Sequence, residues 1–257
     1  MENNSASPIS QEWPTHWKPN AFSPAPTAIV LVGIAALVFI ISFVALWAYM
    51  SATGTPLAII RQHPPLRFAL LGQFVLDVAA IIYFAFTVPW LAKRPLRDIG
   101  FRRPDGNTLA AVVLGAFAMV LVVDLLASVI ESALGIKHEQ NVVAMFTSIT
   151  DPGLKLFVAF FAVVVAPIAE EFMFRIFAFN VVLKHANFWV AAIVSGALFG
   201  LSHGDAFAFV PLALGGVILC AVYYRTRNAW APMMVHGLFN SVTVIALYLP
   251  HASALKR

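Results

Sequence analysis

The sequence has little charge. Only 11% of its 257 residues are Asp, Glu, Lys or Arg, against about 25% in soluble domains, and that excludes a soluble globular chain. It has a single cysteine, Cys220, so neither an internal disulfide nor a thiolate metal cluster can form. Cys220 lies in an apolar run and reads as a small packed residue. No basic face interleaved with aromatics occurs. The excess of 16 Lys and Arg over 12 Asp and Glu therefore sets membrane topology rather than nucleic-acid binding. No internal repeat is visible.

What the chain has instead is apolar sequence: 61% of it is hydrophobic. At about 20 residues per crossing, the expected fold is all-α, a polytopic transmembrane bundle of about seven spans with its working core in the last four helices. Residues 1–26 are polar and Pro-rich and read as a tail, with Trp13, Trp17 and Pro19 at the membrane interface. No basic stretch leads into a short apolar core, so the following run is a retained span and not a cleaved signal. The spans read as 27–50, 68–91, 108–130, 154–183 through Pro167, 187–203, 206–224 and 229–249, giving an amino-terminal unit at 27–130, a polar connector or interfacial segment at 131–153 and a core at 154–250. Pro167 removes a backbone donor and is expected to kink its span. With the tail inside, the basic connector at 93–103, Lys184, Arg225 and Arg227 also fall inside, as the positive-inside bias requires.

Polar side chains at mid-bilayer cost about 2.5 kcal/mol or more each on insertion scales, and here they gather in three clusters. Glu170, Glu171 and Arg175 form the first, Phe199 and His203 the second, His236 and Asn240 the third. Glu171 and Arg175 are four apart and share a helix face, so they can pair, which leaves Glu170 to point elsewhere. His236 and Asn240 are also four apart, and in lipid each needs a partner. Taken singly, the clusters fit a structural ion pair, an interfacial histidine and interhelical hydrogen bonds. Together they fit a hydrolytic site. A carboxylate and an imidazole can take a proton from water, and histidine and asparagine can face an oxyanion. Two histidines and a carboxylate, here Glu170, His203 and His236, are also a three-ligand zinc set with an open position for water.

In sequence order these residues resemble the CAAX protease and bacteriocin-processing (CPBP, or Abi) family of intramembrane proteases, which includes the type II CAAX prenyl endopeptidases. The family pattern is Glu-Glu-x-x-x-Arg, Phe-x-x-x-His and His-x-x-x-Asn. This chain carries Glu170-Glu171 with Arg175, Phe199 with His203, and His236 with Asn240, across about residues 150–250. The resemblance implies an integral membrane endopeptidase, a hydrolase cutting a membrane-associated peptide or protein substrate. In it Glu170 and His203 activate water, His236 and Asn240 support the oxyanion or His236 joins a Zn2+ site, and Glu171 and Arg175 hold the helices in place. Members are described both as metalloendopeptidases and as metal-independent glutamate-type proteases, and the spacing here leaves both open. The expected location is a bacterial cytoplasmic membrane.

Rival chemistries fit the pattern less well. Asp77 and Asp124 lie within spans but lack the Tyr-Asp or Gly-x-Gly-Asp settings of intramembrane aspartyl proteases. No His-Glu-x-x-His occurs, and Ser202 lacks the glycine-flanked setting of a rhomboid-type serine site. A peptide-binding membrane scaffold without activity and a small transporter are the non-enzyme alternatives; a transporter would call for inverted repeats and paired broken helices. One tension stands out: counted from the span ends, Glu170 and His203 fall late in consecutive antiparallel spans, which would put them at different depths.

Overall fold

The computed structural model describes residues 21–62, 65–135 and 141–248. The tail residues Trp13, Trp17 and Pro19 lie outside these, as do Leu249 and the residues after it. Among the described residues the fold is all-helical. The helices are α1 (Pro24–Thr53), α2 (Leu57–Gln62), α3 (Leu66–Ala92), α4 (Gly106–Leu134), α5 (Asn141–Ser148), α6 (Pro152–His185), α7 (Phe188–Ser202), α8 (Phe209–Thr226) and α9 (Trp230–Tyr248).

Six of them, α1, α3, α4, α6, α8 and α9, are long and apolar enough to cross a membrane. The fifth expected span, 187–203, is shorter than the sequence suggested. Helix α7 has 15 residues, about 22 Å at 1.5 Å per residue, against about 30 Å of hydrocarbon. Glu131–Leu134 continue α4, and 141–148 form α5, an 8-residue helix too short to cross.

Local chemistry sets these boundaries. Pro24 begins α1, and Gly54 closes it in the left-handed region at φ 68°, its N–H on the Met50 carbonyl. The Asp105 side chain accepts from the Thr108 amide to start α4. Asp151 accepts from the Gly153 and Leu154 amides to start α6, and Asn187 accepts from Val190 to start α7. Arg67, at the start of α3, reaches Asp151 at 2.6 Å, tying the two helix starts to one face of the bundle.

At the other face, the basic connector is hydrogen-bonded to the turn before α9. The Ala229 amide donates to the Gly100 carbonyl at 2.9 Å, and Asn228 Nδ2 donates to the Arg102 carbonyl at 3.0 Å. Gly100 has φ 120°, and a Cβ there would lie 2.8 Å from the Ala229 nitrogen, so only glycine lets the two segments approach this closely. Tyr223 on α8 donates to the Ile99 carbonyl at 2.8 Å. The connector and the 226–229 turn thus share a face, as alternating spans require.

The tightest packing is between α7 and α8. Cβ atoms at Gly196, Gly200 and Gly216 would each fall under 3.0 Å from the facing backbone, so these glycines let the two helices touch main chain to main chain. Helix α6 runs through 34 residues without a sharp stop at Pro167. Instead it widens to π geometry at 161–165 and again at 172–179. The expected kink is thus spread over wide turns on both sides of Glu170-Glu171, a feature common at functional sites.

Candidate active site

The two wide turns frame the Glu-Glu pair, and α9 meets it from across the bundle. Glu171, Arg175 and His236 are buried at 0%, 0% and 3% exposure. Arg175 Nη1 lies 3.1 Å from Glu171 Oε1, one helical turn away. The same Oε1 lies 3.0 Å from His236 Nδ1. Because a carboxylate only accepts, the ring must donate Nδ1–H to it. The other ring nitrogen, Nε2, then faces Glu170 Oε2 at 3.7 Å. Two consecutive glutamates therefore hold opposite edges of one imidazole. Glu170 Oε2 is buried and has no hydrogen-bond partner among the described residues.

Arg175 is enclosed from the other sides. Its guanidinium stacks over the Phe199 ring at 4.5 Å and reaches the Gly216 carbonyl at 3.4 Å. Burying such a charge is tolerable only beside its carboxylate. Phe199 is the hub of the aromatic contacts. Its ring meets His236 edge-on at 5.4 Å, Phe174 at 5.5 Å and His203 at 4.8 Å. Ser195 Oγ donates to the Phe174 carbonyl at 2.8 Å and fixes α7 on α6.

The structure brings the expected residues together, with altered partners. The Glu-His contact is Glu170 with His236, in place of the expected pairing of Glu170 with His203. His203 ends α7 on an exposed position, its Nδ1 on the Phe199 carbonyl at 2.8 Å, and joins the cluster through the Phe199 ring. The expected depth mismatch is absent. Antiparallel helices pair residues whose numbers share a constant sum. The contact of Phe174 with Phe199 therefore brings Glu170, one turn earlier, level with His203, one turn later. The turn between α6 and α7 lies well beyond the site because α6 is longer than one crossing.

Asn240 donates from Nδ2 to the Ala162 carbonyl at 2.7 Å, so at least one of its two N–H groups serves the protein and not an oxyanion. Glu171 and Arg175 pair as the spacing suggested. Asp77, in the sequence only a rival, lies on α3, which packs against the 166–171 segment of α6, and Gln73 donates to it at 2.9 Å. An acidic residue alone in an apolar span was the available signal; nothing in the sequence showed which helix it would face. Asp124 is exposed on α4.

Among the described residues no group of three or more His, Cys, Asp or Glu side chains is placed to hold a metal. Glu170 and His236 Nε2 face a common point, and Nδ1 of His236 bonds Glu171 while Nδ1 of His203 bonds the Phe199 carbonyl, which leaves Nε2 of each ring. The trio Glu170, His203 and His236 is not gathered as a ligand set in this arrangement.

The fold and site define a polytopic helical membrane protein with a buried Glu-His-Arg cluster. Residues 152–242 match the family described as type II CAAX prenyl endopeptidase Rce1-like. Among curated relatives, the "Putative membrane peptidase YdiL" of Bacillus subtilis (strain 168) is 26% identical over 72% of this chain and 73% of its own. The "Membrane-embedded CAAX protease MroQ" of Staphylococcus aureus (strain USA300) is 26% identical over 81% of this chain and 89% of its own. No solved structure matches. The family and the names of these relatives support a membrane protease.

Proposed function

We propose that this protein is an intramembrane endopeptidase in which Glu170 and His236 hold and deprotonate the attacking water. The observation that carries the reading is the 3.7 Å separation of His236 Nε2 and Glu170 Oε2, with the imidazole fixed from behind by Glu171. That gap is too wide for a direct hydrogen bond and suits two acceptors sharing one water.

The neutral imidazole carries its proton on Nδ1, so Nε2 and Glu170 both accept from the water, and its oxygen lone pairs are left for the substrate. As the water oxygen bonds to the scissile carbonyl carbon, Glu170 takes one proton. That proton passes to the amide nitrogen as the C–N bond breaks. The products are a carboxylic acid, which ionises, and a free amine. Any positive charge that builds on His236 is balanced by Glu171, whose own charge is balanced by Arg175. This is the orienting logic of a catalytic triad with water as nucleophile. His203, level with Glu170 at the exposed rim of α7, is suited to contact the substrate or the departing amine. No step is routed through a metal, and metal assistance is the alternative that a chelator distinguishes. The substrate is a membrane-associated peptide or protein reached in the bilayer of a bacterial cytoplasmic membrane.

The test is cleavage of membrane-associated reporter peptides, prenylated and unprenylated, by the purified protein and by Glu170→Gln. Loss of about 10²–10⁴-fold with unchanged thermal unfolding is expected. A Glu170→Gln protein that cleaves at the wild-type rate overturns the reading. Chelation that abolishes cleavage, with zinc restoring it, replaces the metal-free route.

A further inference from the structure

In the His-x-x-x-Asn motif, Asn240 has been given a chemical task, yet its amide is committed to the main chain of α6. The reason lies in Pro167. In the π turn at 161–165 the register is five residues, with the Ala166 N–H serving the Phe161 carbonyl. The next carbonyl in that register, Ala162, would need the N–H of residue 167, and proline has none. Asn240 Nδ2 supplies the missing donor at 2.7 Å. Only the amide nitrogen, and not Oδ1, can face a carbonyl oxygen, so the side-chain orientation is settled by its partner.

A second contact lies beside the first. A Cβ at Gly237 would sit 2.7 Å from the Val163 carbonyl oxygen, the oxygen that the ring at 167 would crowd in an α register. Gly237 thus lets α9 lie against the opened turn, and Asn240, one turn on, bonds to it. His236, next to Gly237 and on the same face as Asn240, is thereby carried between Glu170 and Glu171, which follow the same opened turn on α6.

We infer that Asn240 and Gly237 are positioning residues. They lock α9 to the carbonyls released at the Pro167 break, and so set the depth at which His236 enters the glutamate pair. The role of Asn240 is to replace the backbone donor that Pro167 removes. The inference rests on the proposed reading only in giving His236 a task. Its test needs no substrate, so either can fail without the other.

Two measurements on the full chain in detergent decide it, over wild type, Asn240→Ala, Pro167→Ala and the double variant. The first is thermal unfolding. With Pro167 present, Asn240→Ala is expected to lower Tm by about 2–4 °C. With Ala at 167 restoring an N–H, the same change is expected to cost less than half of that. The second is the imidazole 15N signal of His236. It should shift in Asn240→Ala and return towards wild type in the double variant. Additive Tm losses, or an unshifted His236 signal, overturn the inference; an asparagine that only meets an oxyanion would give both. If Asn240→Ala or Pro167→Ala does not fold, Asn240→Asp keeps the shape and loses the donor. A moved His236 signal in that variant supports the inference and an unmoved one refutes it.

Discussion

The amino-terminal and carboxy-terminal halves are both built from apolar helices, the amino-terminal ones on average the more apolar, and they treat their side chains differently. The most apolar window of α1 has 6% of its residues buried, and the corresponding window of α8 has 44%. Large side chains of α1 such as Phe39, Phe43 and Trp47 are exposed, as expected of a face meant for lipid. In the carboxy-terminal half Glu171, Arg175 and His236 are buried within protein. A bilayer accepts apolar surface at no cost but cannot satisfy a charge, so the polar work is confined to the half that supplies its own partners. The contrast also agrees with the family match, which covers 152–242 and none of α1, α3 or α4.

The change expected to widen this contrast most is His236→Ala. It removes the imidazole from between two carboxylates, and cleavage should fall by about 10²–10⁴-fold, as measured on the reporter peptides. Next comes the ion pair. Arg175→Ala leaves the Glu171 charge buried beside only a histidine, and breaking such a pair costs about 3–5 kcal/mol. Its denaturation midpoint should fall well below that of Phe39→Ala, a lipid-face truncation of α1 that should leave the midpoint near wild type. If the two variants unfold alike, the comparison fails.

Asp77 is where the comparison is most open to breaking, because it is a carboxylate of the amino-terminal half on the helix that packs against the Glu170 segment. Asp77→Ala should reduce cleavage by about 10-fold, equivalent to about 1.4 kcal/mol of barrier, without the stability loss of Arg175→Ala. Loss as deep as that of Glu170→Gln would move α3 into the catalytic machinery.

The smallest effect belongs to Asp151. Hydrogen bonds from the Leu154 and Gly153 amides, with Arg67 nearby, hold its carboxyl below the usual carboxylate range. Because the folded value is the lower one, its contribution is present above the ordinary carboxylate value of about 4 and is lost as pH falls through the depressed value. The difference in Tm between wild type and Asp151→Ala should therefore be present at pH 7 and shrink below about pH 4. A difference that grows on acidification contradicts this sign.

Much of this was legible beforehand for identifiable reasons. The apolar runs, and the start of α7 at Asn187, were legible because hydropathy and caps are local. The pairing of Glu171 with Arg175 was legible because four residues make one turn of one helix. The partner of Glu170 was not. His236 and His203 are both histidines on apolar helices, and only the contact of Phe174 with Phe199 and the docking of α9 on α6 separate them. Nor was it legible which ring nitrogens bond within the protein: Nδ1 of His236 faces Glu171 and Nδ1 of His203 faces the Phe199 carbonyl, which leaves Nε2 of each ring. Pro167 announced a missing donor, but the answer lies 73 positions on, at Asn240, a distance no local pattern spans.

By itself the sequence determined that the chain is membrane-embedded and helical, where most helices end, and which six or seven side chains are too costly in lipid to be incidental. Those follow from hydropathy, capping and the price of a charge in hydrocarbon, all local in the chain. Only the tertiary structure decided that one imidazole sits between the two glutamates and that an asparagine stands in for a proline's absent N–H. Both depend on the depth at which α9 meets α6, and that depth is set by packing and carbonyl satisfaction between helices far apart in sequence.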